Sequence, residues 1–409
     1  MKKNRYFFLM LLVTLFQFIC LVEIIAKLGS DDLKYPAIAF GGYILLEWVY
    51  FAIHRGIMKS QSFEVELIGF FLSGIGLAIT VSVYPEKSVT QLIAILIGFA
   101  GYLVLLWVLK DINLCMRLRY VAAVGAVGLL GMTLMLAQFT NGAKNWLYFG
   151  GMSIQPSELV KVAFVFVGAA TLEKLQSTRS LTRYIIFAVA CIGCLFMMYD
   201  FGTALIFFFT FIIISFLRSG DIRTIIFICV AALLGAVLIL MFKPYVASRF
   251  ASYTHIWEDP EGGGFQQTRA LTYAVSGVLF GLGLGNGELR NIFAATEDLV
   301  FGVVSEEFGL IIAFLIMLTY AGLLAYAIKN SKSVRSTFYA ILSVSAAALL
   351  VFQAAVNVFG VSDLIPFTGV TLPFISRGGS SVMSCWMLLS FIKAVSFKDR
   401  QAKIKGAAK

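Results

Sequence analysis

Long apolar runs dominate the chain, and short polar segments separate them. Twelve runs are candidate membrane spans, near 6–28, 35–54, 64–84, 89–109, 118–138, 158–173, 183–199, 202–217, 222–242, 300–328, 336–358 and 378–396. About 20 apolar residues cross a bilayer as a helix, because hydrocarbon offers the backbone no hydrogen-bond partner outside the segment. The pattern therefore predicts an all-α, polytopic integral membrane protein with about 12 transmembrane helices.

Composition excludes a water-soluble chain. Hydrophobic residues make up 60% of the sequence and charged residues 13%, so polar side chains could not cover the apolar surface. The first span follows Lys2, Lys3 and Arg5 but precedes no small-residue cleavage site, which is typical of a retained anchor. Scattered cysteines and two isolated histidines predict neither a disulfide framework nor a metal cluster.

The distribution of basic residues predicts the orientation. With the N-terminus in the cytoplasm, most of the 32 lysines and arginines lie in cytoplasmic segments, as the positive-inside rule requires. Both termini are then inside, and a large polar loop at 243–299 is extracellular. The net charge of +10 is expected to reflect basic residues that contact lipids of the cytoplasmic leaflet, and it does not indicate a nucleic-acid partner. We divide the chain into an N-terminal hairpin (1–60), a membrane core (61–399) and a basic cytoplasmic tail (400–409).

Three predicted external regions are polar and rich in glycine: 141–158, 243–299 and 360–381. Irregular backbone at membrane depth survives only where protein or a wet cavity covers it, so we expect one shared outward-facing cavity. Within the long loop, 268–279 has the length of a short helix. The glycine run 280–287 follows it and is more typical of a turn than of a nucleotide-binding fingerprint.

Acidic residues near the membrane edge are the strongest candidates for chemistry. Asp298 closes the long loop, and Glu306 and Glu307 follow within the next apolar run. Ionisable groups are expensive to place in a bilayer and therefore indicate function by default. The glutamate pair could bind a cation that orients the site, or a buried lysine or arginine in a purely structural pair.

Pro156 favours the start of a helix, with Glu158 in its first turn. Lys161 lies three residues further, on the same helix face. Two interpretations stay open: a structural ion pair, or a lysine facing an anionic ligand. Asp200 is typical of a helix N-cap.

At this point a set of motifs matches a known family in order along the chain. The matching residues are Gly142-Ala143, Trp146, Gln155-Pro156-Ser157-Glu158, Lys161, Asp200, Gly202-Thr203, Gln266, Gly281, Gly283, Asp298, Phe301, Glu306-Glu307, Gly309, Asn357, Pro366, Thr368-Gly369, Leu372-Pro373-Phe374, Ser376 and Gly378-Gly379-Ser380-Ser381. Over about 66–396 the chain resembles the SEDS proteins (shape, elongation, division and sporulation), of the FtsW, RodA and SpoVE type. No single motif is specific, but the combination is.

The resemblance implies a peptidoglycan glycosyltransferase in the bacterial cytoplasmic membrane. Such an enzyme polymerises lipid II at the outer face and works with a class B penicillin-binding protein. The family's essential aspartate corresponds to Asp298. A carboxylate there could act as general base on an acceptor sugar hydroxyl, and cations could stabilise the departing pyrophosphate in an inverting displacement. The candidate substrate-binding residues are Lys144, Trp146, Glu158, Lys161, Arg249, Gln266, Arg269, Glu306, Glu307, Arg377 and Ser380.

The chain departs from the family pattern in several places. The hairpin 1–60 looks like an addition to a ten-helix core. Arg377 replaces a usual aromatic residue, Arg269 a usual glutamine, and Thr296-Glu297 the usual His-Thr before the key aspartate. These changes leave the assignment of roles among the basic residues open.

Two other functions fit the same sequence. One is a flippase that moves lipid II across the bilayer, although we find no convincing internal repeat of the kind transporters often have. The other is an activator of a partner synthase without chemistry of its own. No metal-ligand motif is present, but a pyrophosphate substrate could bring Mg²⁺ or Mn²⁺ with it. The residues do not distinguish elongation, division and sporulation.

Overall fold

The computed structural model describes residues 2–27, 33–56, 62–140, 142–149, 152–172, 178–220, 253–334 and 336–407, with the single positions 223, 226 and 230. Its helices are α1 (Lys2–Ile25), α2 (Lys34–Gly56), α3 (Glu64–Val83), α4 (Ser88–Val108), α5 (Ile112–Leu136), α6 (Pro156–Thr171), α7 (Thr178–Met197), α8 (Phe201–Ser219), α9 (Phe265–Ser276), α10 (Val300–Glu307), α11 (Gly309–Ser331), α12 (Thr337–Val361) and α13 (Gly379–Ala407). Short 3₁₀ helices cover Pro85–Lys87 and Leu289–Asn291.

The structure confirms an all-α polytopic architecture. Within the described ranges, nine helices are long and apolar enough to cross a membrane: α1 to α5, α8, α11, α12 and α13. Two further predicted spans are helical but shorter, since α6 has 16 residues and the apolar part of α7 is Leu181–Met197. The predicted span 222–242 lies outside the described residues, apart from three isolated positions.

One local element was not predicted, and the bounds of one predicted span are wrong. The chain between α5 and α6 contains a small antiparallel hairpin of β1 (Leu147–Phe149) and β2 (Met152–Ile154). The predicted span 300–328 is broken into α10 and α11 at Gly309, which has a φ of 85°. The break has a tertiary cause, because a β-carbon on Gly309 would lie 2.4 Å from both Gly281 N and Leu279 O. The connection between α9 and α10 lies so close to Gly309 that no residue with a side chain fits at this position.

Capping residues and turn formers begin and end several helices. Asp111 caps α5 by accepting a hydrogen bond from the Asn113 N–H at 2.8 Å. Asp200 caps α8 in the same way through the Thr203 N–H at 3.2 Å, as the sequence predicted. Pro156 opens α6, and Gly220 closes α8 with a φ of 63°.

The chain forms two compact units, and the first comprises Met1–Tyr102, Arg269–Leu323 and Thr371–Leu389. Helices α1, α2 and α3 pack on one another in this unit, and α3 is mostly buried. Trp386 of α13 packs between Phe70 and Phe99, with ring centroids 5.1 and 5.2 Å apart. Its indole N–H donates to the Ser73 hydroxyl at 3.1 Å. An aromatic core therefore holds α13 against α3 and α4.

The C-terminal end of α1 binds the glycine-rich turn of the long loop, within this first unit. The Glu23 carboxylate accepts a hydrogen bond from the Leu284 N–H at 3.0 Å, and the Lys27 ammonium donates to the Leu284 carbonyl. Nearer the middle of α1, the Phe16 and Phe308 rings lie 5.9 Å apart. The hairpin 1–60 thus packs on the elements around it. Its status as a separate domain stays a prediction.

The second unit comprises Leu103–Thr268, Leu324–Val370 and Ser390–Lys409. Here α6 packs on α5, α7 and α8, while α12 packs on α6 and α8 and is mostly buried. The rings of Phe209 and Phe352 stack at 3.8 Å between α8 and α12. The core of this unit is therefore a helical bundle around α6 and α12.

A substitution at Gly76 of α3 tests how closely the segment before α13 approaches that helix. A β-carbon at Gly76 would lie 2.6 Å from the Phe374 carbonyl oxygen and 2.7 Å from that of Ile375. Backbone atoms cannot rotate away, so we expect Gly76→Ala to lower the free energy of unfolding by about 1–3 kcal/mol. Unfolding in detergent measures this change. Gly125→Ala in α5 is the control, because nothing lies within 4 Å of its added carbon; equal losses would contradict the prediction.

Candidate functional site

Asp298 lies in a tight turn directly before α10. The Ala294 carbonyl accepts hydrogen bonds from the N–H groups of Glu297, Asp298 and Leu299 at 3.0–3.1 Å. Ala294 has a φ of 62°, a conformation that costs energy for a residue with a β-carbon. The Asp298 side chain is neither fully buried nor fully exposed. The turn therefore fixes the backbone of the aspartate, and the residue as a whole is partly exposed.

The two residues before Asp298 are bound to the segment that precedes α13. The Arg377 N–H donates to the Thr296 carbonyl at 2.7 Å, and the Arg377 Nε–H donates to the Thr296 hydroxyl at 3.0 Å. The Arg377 guanidinium also forms an ion pair with the Glu297 carboxylate. The Ser376 hydroxyl donates to the Glu297 carbonyl. Arg377, a predicted pyrophosphate ligand, is thus engaged by residues adjacent to Asp298.

Glu306 and Glu307 have partners that the sequence did not predict. The Glu306 carboxylate accepts hydrogen bonds from the backbone N–H groups of Glu288 and Leu289, at 2.7 and 3.0 Å. Glu307 accepts one from the Ser82 hydroxyl at 2.9 Å. Glu306 thereby organises the loop before α10, and Glu307 connects α10 to the end of α3. The positive charge of Arg290 acts on both carboxylates, so the predicted pairing with a cation stays open. Their binding of substrate stays a prediction.

Burial also changes the acidity of Glu307. It lies in α10, outside the nine membrane-length helices, and only 2% of its surface is exposed. Desolvation raises the pKa of its carboxyl to about 7, although the hydrogen bond from Ser82 opposes the shift. The group is therefore easier to protonate near neutral pH than an exposed glutamate.

The other predicted residues of the first unit are Arg269 and Ser380. Arg269 lies in α9 and is partly exposed. Ser380 is buried at the start of α13, and the neighbouring Ser381 hydroxyl lies 2.8 Å from that of Thr371. The first unit therefore contains Asp298, Arg269, Glu306, Glu307, Arg377 and Ser380.

In the second unit, Asp200 organises the chain around the β-hairpin. Besides capping α8, its Oδ2 accepts hydrogen bonds from the side-chain amides of Asn145 and Gln155, at 3.0 and 3.1 Å. The Lys144 N–H donates to the Met198 carbonyl at 2.8 Å. The side chains of Lys144 and Trp146 are both partly exposed. The hairpin is thus fixed at the N-terminal end of α8, with a basic and an aromatic side chain beside it.

Lys161 forms the ion pair that its spacing from Glu158 predicted. Its ammonium lies 2.7 Å from Glu158 Oε2 and donates to Gln353 Oε1 at 2.8 Å. Lys161 is 1% exposed and Glu158 3%. The geometry matches the structural interpretation, since the lysine faces protein groups and little solvent. Its role as a substrate ligand stays a prediction.

Gln266 and Arg249 complete the predicted set. Gln266 is partly exposed in α9. Arg249 lies outside the described residues, so its predicted contact with pyrophosphate stays a prediction. Sequence reasoning missed Gln267, a buried residue whose side-chain amide donates to the Gly360 carbonyl at 3.0 Å and to Asp363 at 3.2 Å. A single sequence does not show which of the two adjacent glutamines, Gln266 or Gln267, is buried.

No group of three or more His, Cys, Asp or Glu side chains in the described part of the chain is arranged to hold a metal ion. Glu297 is paired with Arg377, and the buried Glu306 accepts hydrogen bonds from the adjacent loop. The site also offers the carboxylate of Asp298, a partly exposed residue in a tight turn. Such a carboxylate can accept a proton from a hydroxyl group.

Fold and site together define a polytopic membrane protein with its acidic candidate site in a large inter-helix loop. The profile of the FtsW, RodA and SpoVE family of cell cycle proteins matches residues 68–401, and the chain belongs to this family. The predicted family resemblance is therefore confirmed. The match begins at residue 68, after the N-terminal hairpin.

Curated relatives carry the family's different names. Stage V sporulation protein E of Bacillus subtilis is 32% identical over 64% of this chain and 73% of its own length. The peptidoglycan glycosyltransferase RodA of Mycobacterium leprae is 27% identical over 88% of this chain and 83% of its own. A probable peptidoglycan glycosyltransferase FtsW of Tolumonas auensis is 31% identical over 68% and 75%.

Solved structures share the fold. A chain from a peptidoglycan synthase complex, described as coordinating polymerization and crosslinking, superimposes with a TM-score of 0.68. It is 23% identical, and the match covers 83% of this chain and 98% of that one. The rod shape determining protein RodA of Thermus thermophilus gives a TM-score of 0.60 at 22% identity, over 82% and 96%.

Proposed function

We propose that this protein is a peptidoglycan glycosyltransferase that polymerises lipid II, with Asp298 as the general base. The observation that carries the proposal is the partly exposed Asp298, held in a backbone turn of a chain that belongs to the FtsW, RodA and SpoVE family. The names of relatives in two branches of this family, RodA and FtsW, support the glycosyltransferase class.

The carboxylate supplies what the reaction needs at the acceptor. A sugar hydroxyl is a poor nucleophile, and a positioned base that removes its proton as the new bond forms lowers the barrier. Attack on the anomeric carbon of the donor expels the lipid pyrophosphate and inverts the configuration. No covalent bond between enzyme and sugar is required.

The departing pyrophosphate needs positive charge. Within the predicted basic set, Lys144 and Arg269 are partly exposed, whereas Lys161 is buried in its pair with Glu158 and Arg377 pairs with Glu297. Mg²⁺ or Mn²⁺, if needed, would arrive with the pyrophosphate as part of the substrate.

The proposal includes a membrane orientation and a protein partner. We place both termini in the cytoplasm of a bacterial cell and Asp298 on the outer side, because the basic residues concentrate in the segments that are then cytoplasmic. A class B penicillin-binding protein is the proposed partner. A chain with the same fold belongs to a peptidoglycan synthase complex described as coordinating polymerization and crosslinking, and this supports a crosslinking partner.

A product assay tests the proposed reaction. Purified protein, with and without a copurified transpeptidase, is incubated with lipid II in detergent and in liposomes. We expect glycan chains longer than the disaccharide. Movement of lipid II between leaflets without chains would instead support a flippase. Chains formed only by an added synthase would support an activator.

A further inference from the structure

The contacts around Arg377 point to a role in placing the catalytic turn. We propose that the ion pair between Arg377 and Glu297 is a positioning device that fixes the Asp298 carboxylate, and that Arg377 is not a ligand of the pyrophosphate. The inference rests on the proposed function of Asp298. Neither Arg377 nor Glu297 touches the reacting atoms in this assignment.

The turn is bound at several points over two residues. Both the N–H and the Nε–H of Arg377 donate to Thr296, at 2.7 and 3.0 Å. The guanidinium pairs with the Glu297 carboxylate, and the Ser376 hydroxyl donates to the Glu297 carbonyl. Asp298 is the next residue in the chain. A shift of this attachment therefore moves the catalytic carboxylate directly.

The segment that provides the attachment is itself fixed. The backbone of Phe374 and Ile375 lies against Gly76 of α3 with no room for a β-carbon. The Tyr320 hydroxyl donates to the Pro373 carbonyl, and the Leu372 N–H donates to the Ser376 hydroxyl at 2.7 Å. Arg377 thus connects the turn to a segment that is itself fixed against the helices of the first unit.

The guanidinium has a second partner that restricts its movement. Its central carbon lies 4.9 Å from the centroid of the Tyr84 ring, at the end of α3. Both side chains of the ion pair are 30% exposed. An arginine held between a carboxylate and an aromatic ring has fewer donors left for an anionic substrate than a solvated one.

Charge exchange distinguishes positioning from substrate binding. We expect Arg377→Glu and Glu297→Arg each to lower kcat by roughly 10- to 100-fold with little change in KM for lipid II, because small displacements of a catalytic group are costly. The exchanged pair, Glu297→Arg with Arg377→Glu, should recover much of kcat. Glu261→Arg, an exposed charge reversal in the same loop, is the control and should leave both constants unchanged.

Neutral variants provide a milder form of the test. Under the proposal, Glu297→Gln and Arg377→Gln lower kcat, and the double variant is no worse than the poorer single one. A substrate role for Arg377 predicts the opposite pattern: a raised KM for Arg377→Gln, and unchanged or tighter binding for Glu297→Gln. That pattern, or additive losses in folded protein, would overturn the proposal.

The wild-type protein separates the two levels of the argument. If it forms no glycan chains from lipid II, the proposed function fails. If it forms chains and the Glu297 and Arg377 variants match its kcat, the positioning role fails alone.

Discussion

Replacing Asp298 by asparagine should remove most or all polymerisation while leaving the fold intact. Asparagine has the shape of aspartate but cannot accept the hydroxyl proton, and loss of a general base costs about 10²–10⁴-fold in rate. The turn should survive, because the Ala294 carbonyl holds it through backbone N–H groups. Initial rates of chain formation from lipid II, with melting temperatures in detergent, measure both effects.

The matched control is Asp259→Asn. Asp259 is an exposed aspartate of the same loop, and its carboxylate accepts a hydrogen bond from the Gly263 N–H at 2.8 Å. Asparagine can also accept that bond, so we expect wild-type rates. Wild-type rates for Asp298→Asn would rule out its assignment as base.

Lys161→Met should cause the largest loss of stability among the predicted site residues. It removes the cation from a pair in which Lys161 is 1% and Glu158 3% exposed, and leaves a carboxylate without its counterion. Breaking a buried pair in this way costs about 3–5 kcal/mol. Unfolding in detergent measures the change, and Lys329→Met, at an exposed position of α11, provides the control.

The double variant identifies the cause. Glu158→Gln with Lys161→Met removes both charges, so it should be more stable than Lys161→Met alone. A Lys161→Met protein with wild-type stability but a raised KM for lipid II would instead favour the anion-facing interpretation of the lysine.

Local rules predicted much of the helical framework. Hydropathy located the helices that correspond to nine candidate spans in the described residues. The caps at Pro156 and Asp200, and the ion pair of Glu158 with Lys161, followed from spacings of a few residues. These features depend on backbone geometry within one or two helical turns, so a single sequence contains them.

Long-range contacts account for what the sequence did not predict. The break at Gly309 exists because the distant Gly281 backbone passes there. Arg377 and Glu297 were noted only as separate departures from a family pattern, although 80 positions apart in sequence they bind each other. Periodicity contains no information about which distant segments meet, so the partners of Glu306 were equally hidden.

The N-terminal hairpin has a consequence for the smallest functional form of this protein. Glu66 of α3 accepts hydrogen bonds from the hydroxyls of Tyr50 and Tyr102, at 3.2 and 2.9 Å, and its carboxylate lies 3.9 Å from His54 Nε2. Tyr50 and His54 belong to α2. A version that lacks residues 1–60 would remove Tyr50 and His54 from around this carboxylate, and would release the turn that Glu23 and Lys27 bind. The shortest version of the protein that keeps these contacts therefore includes the N-terminal hairpin.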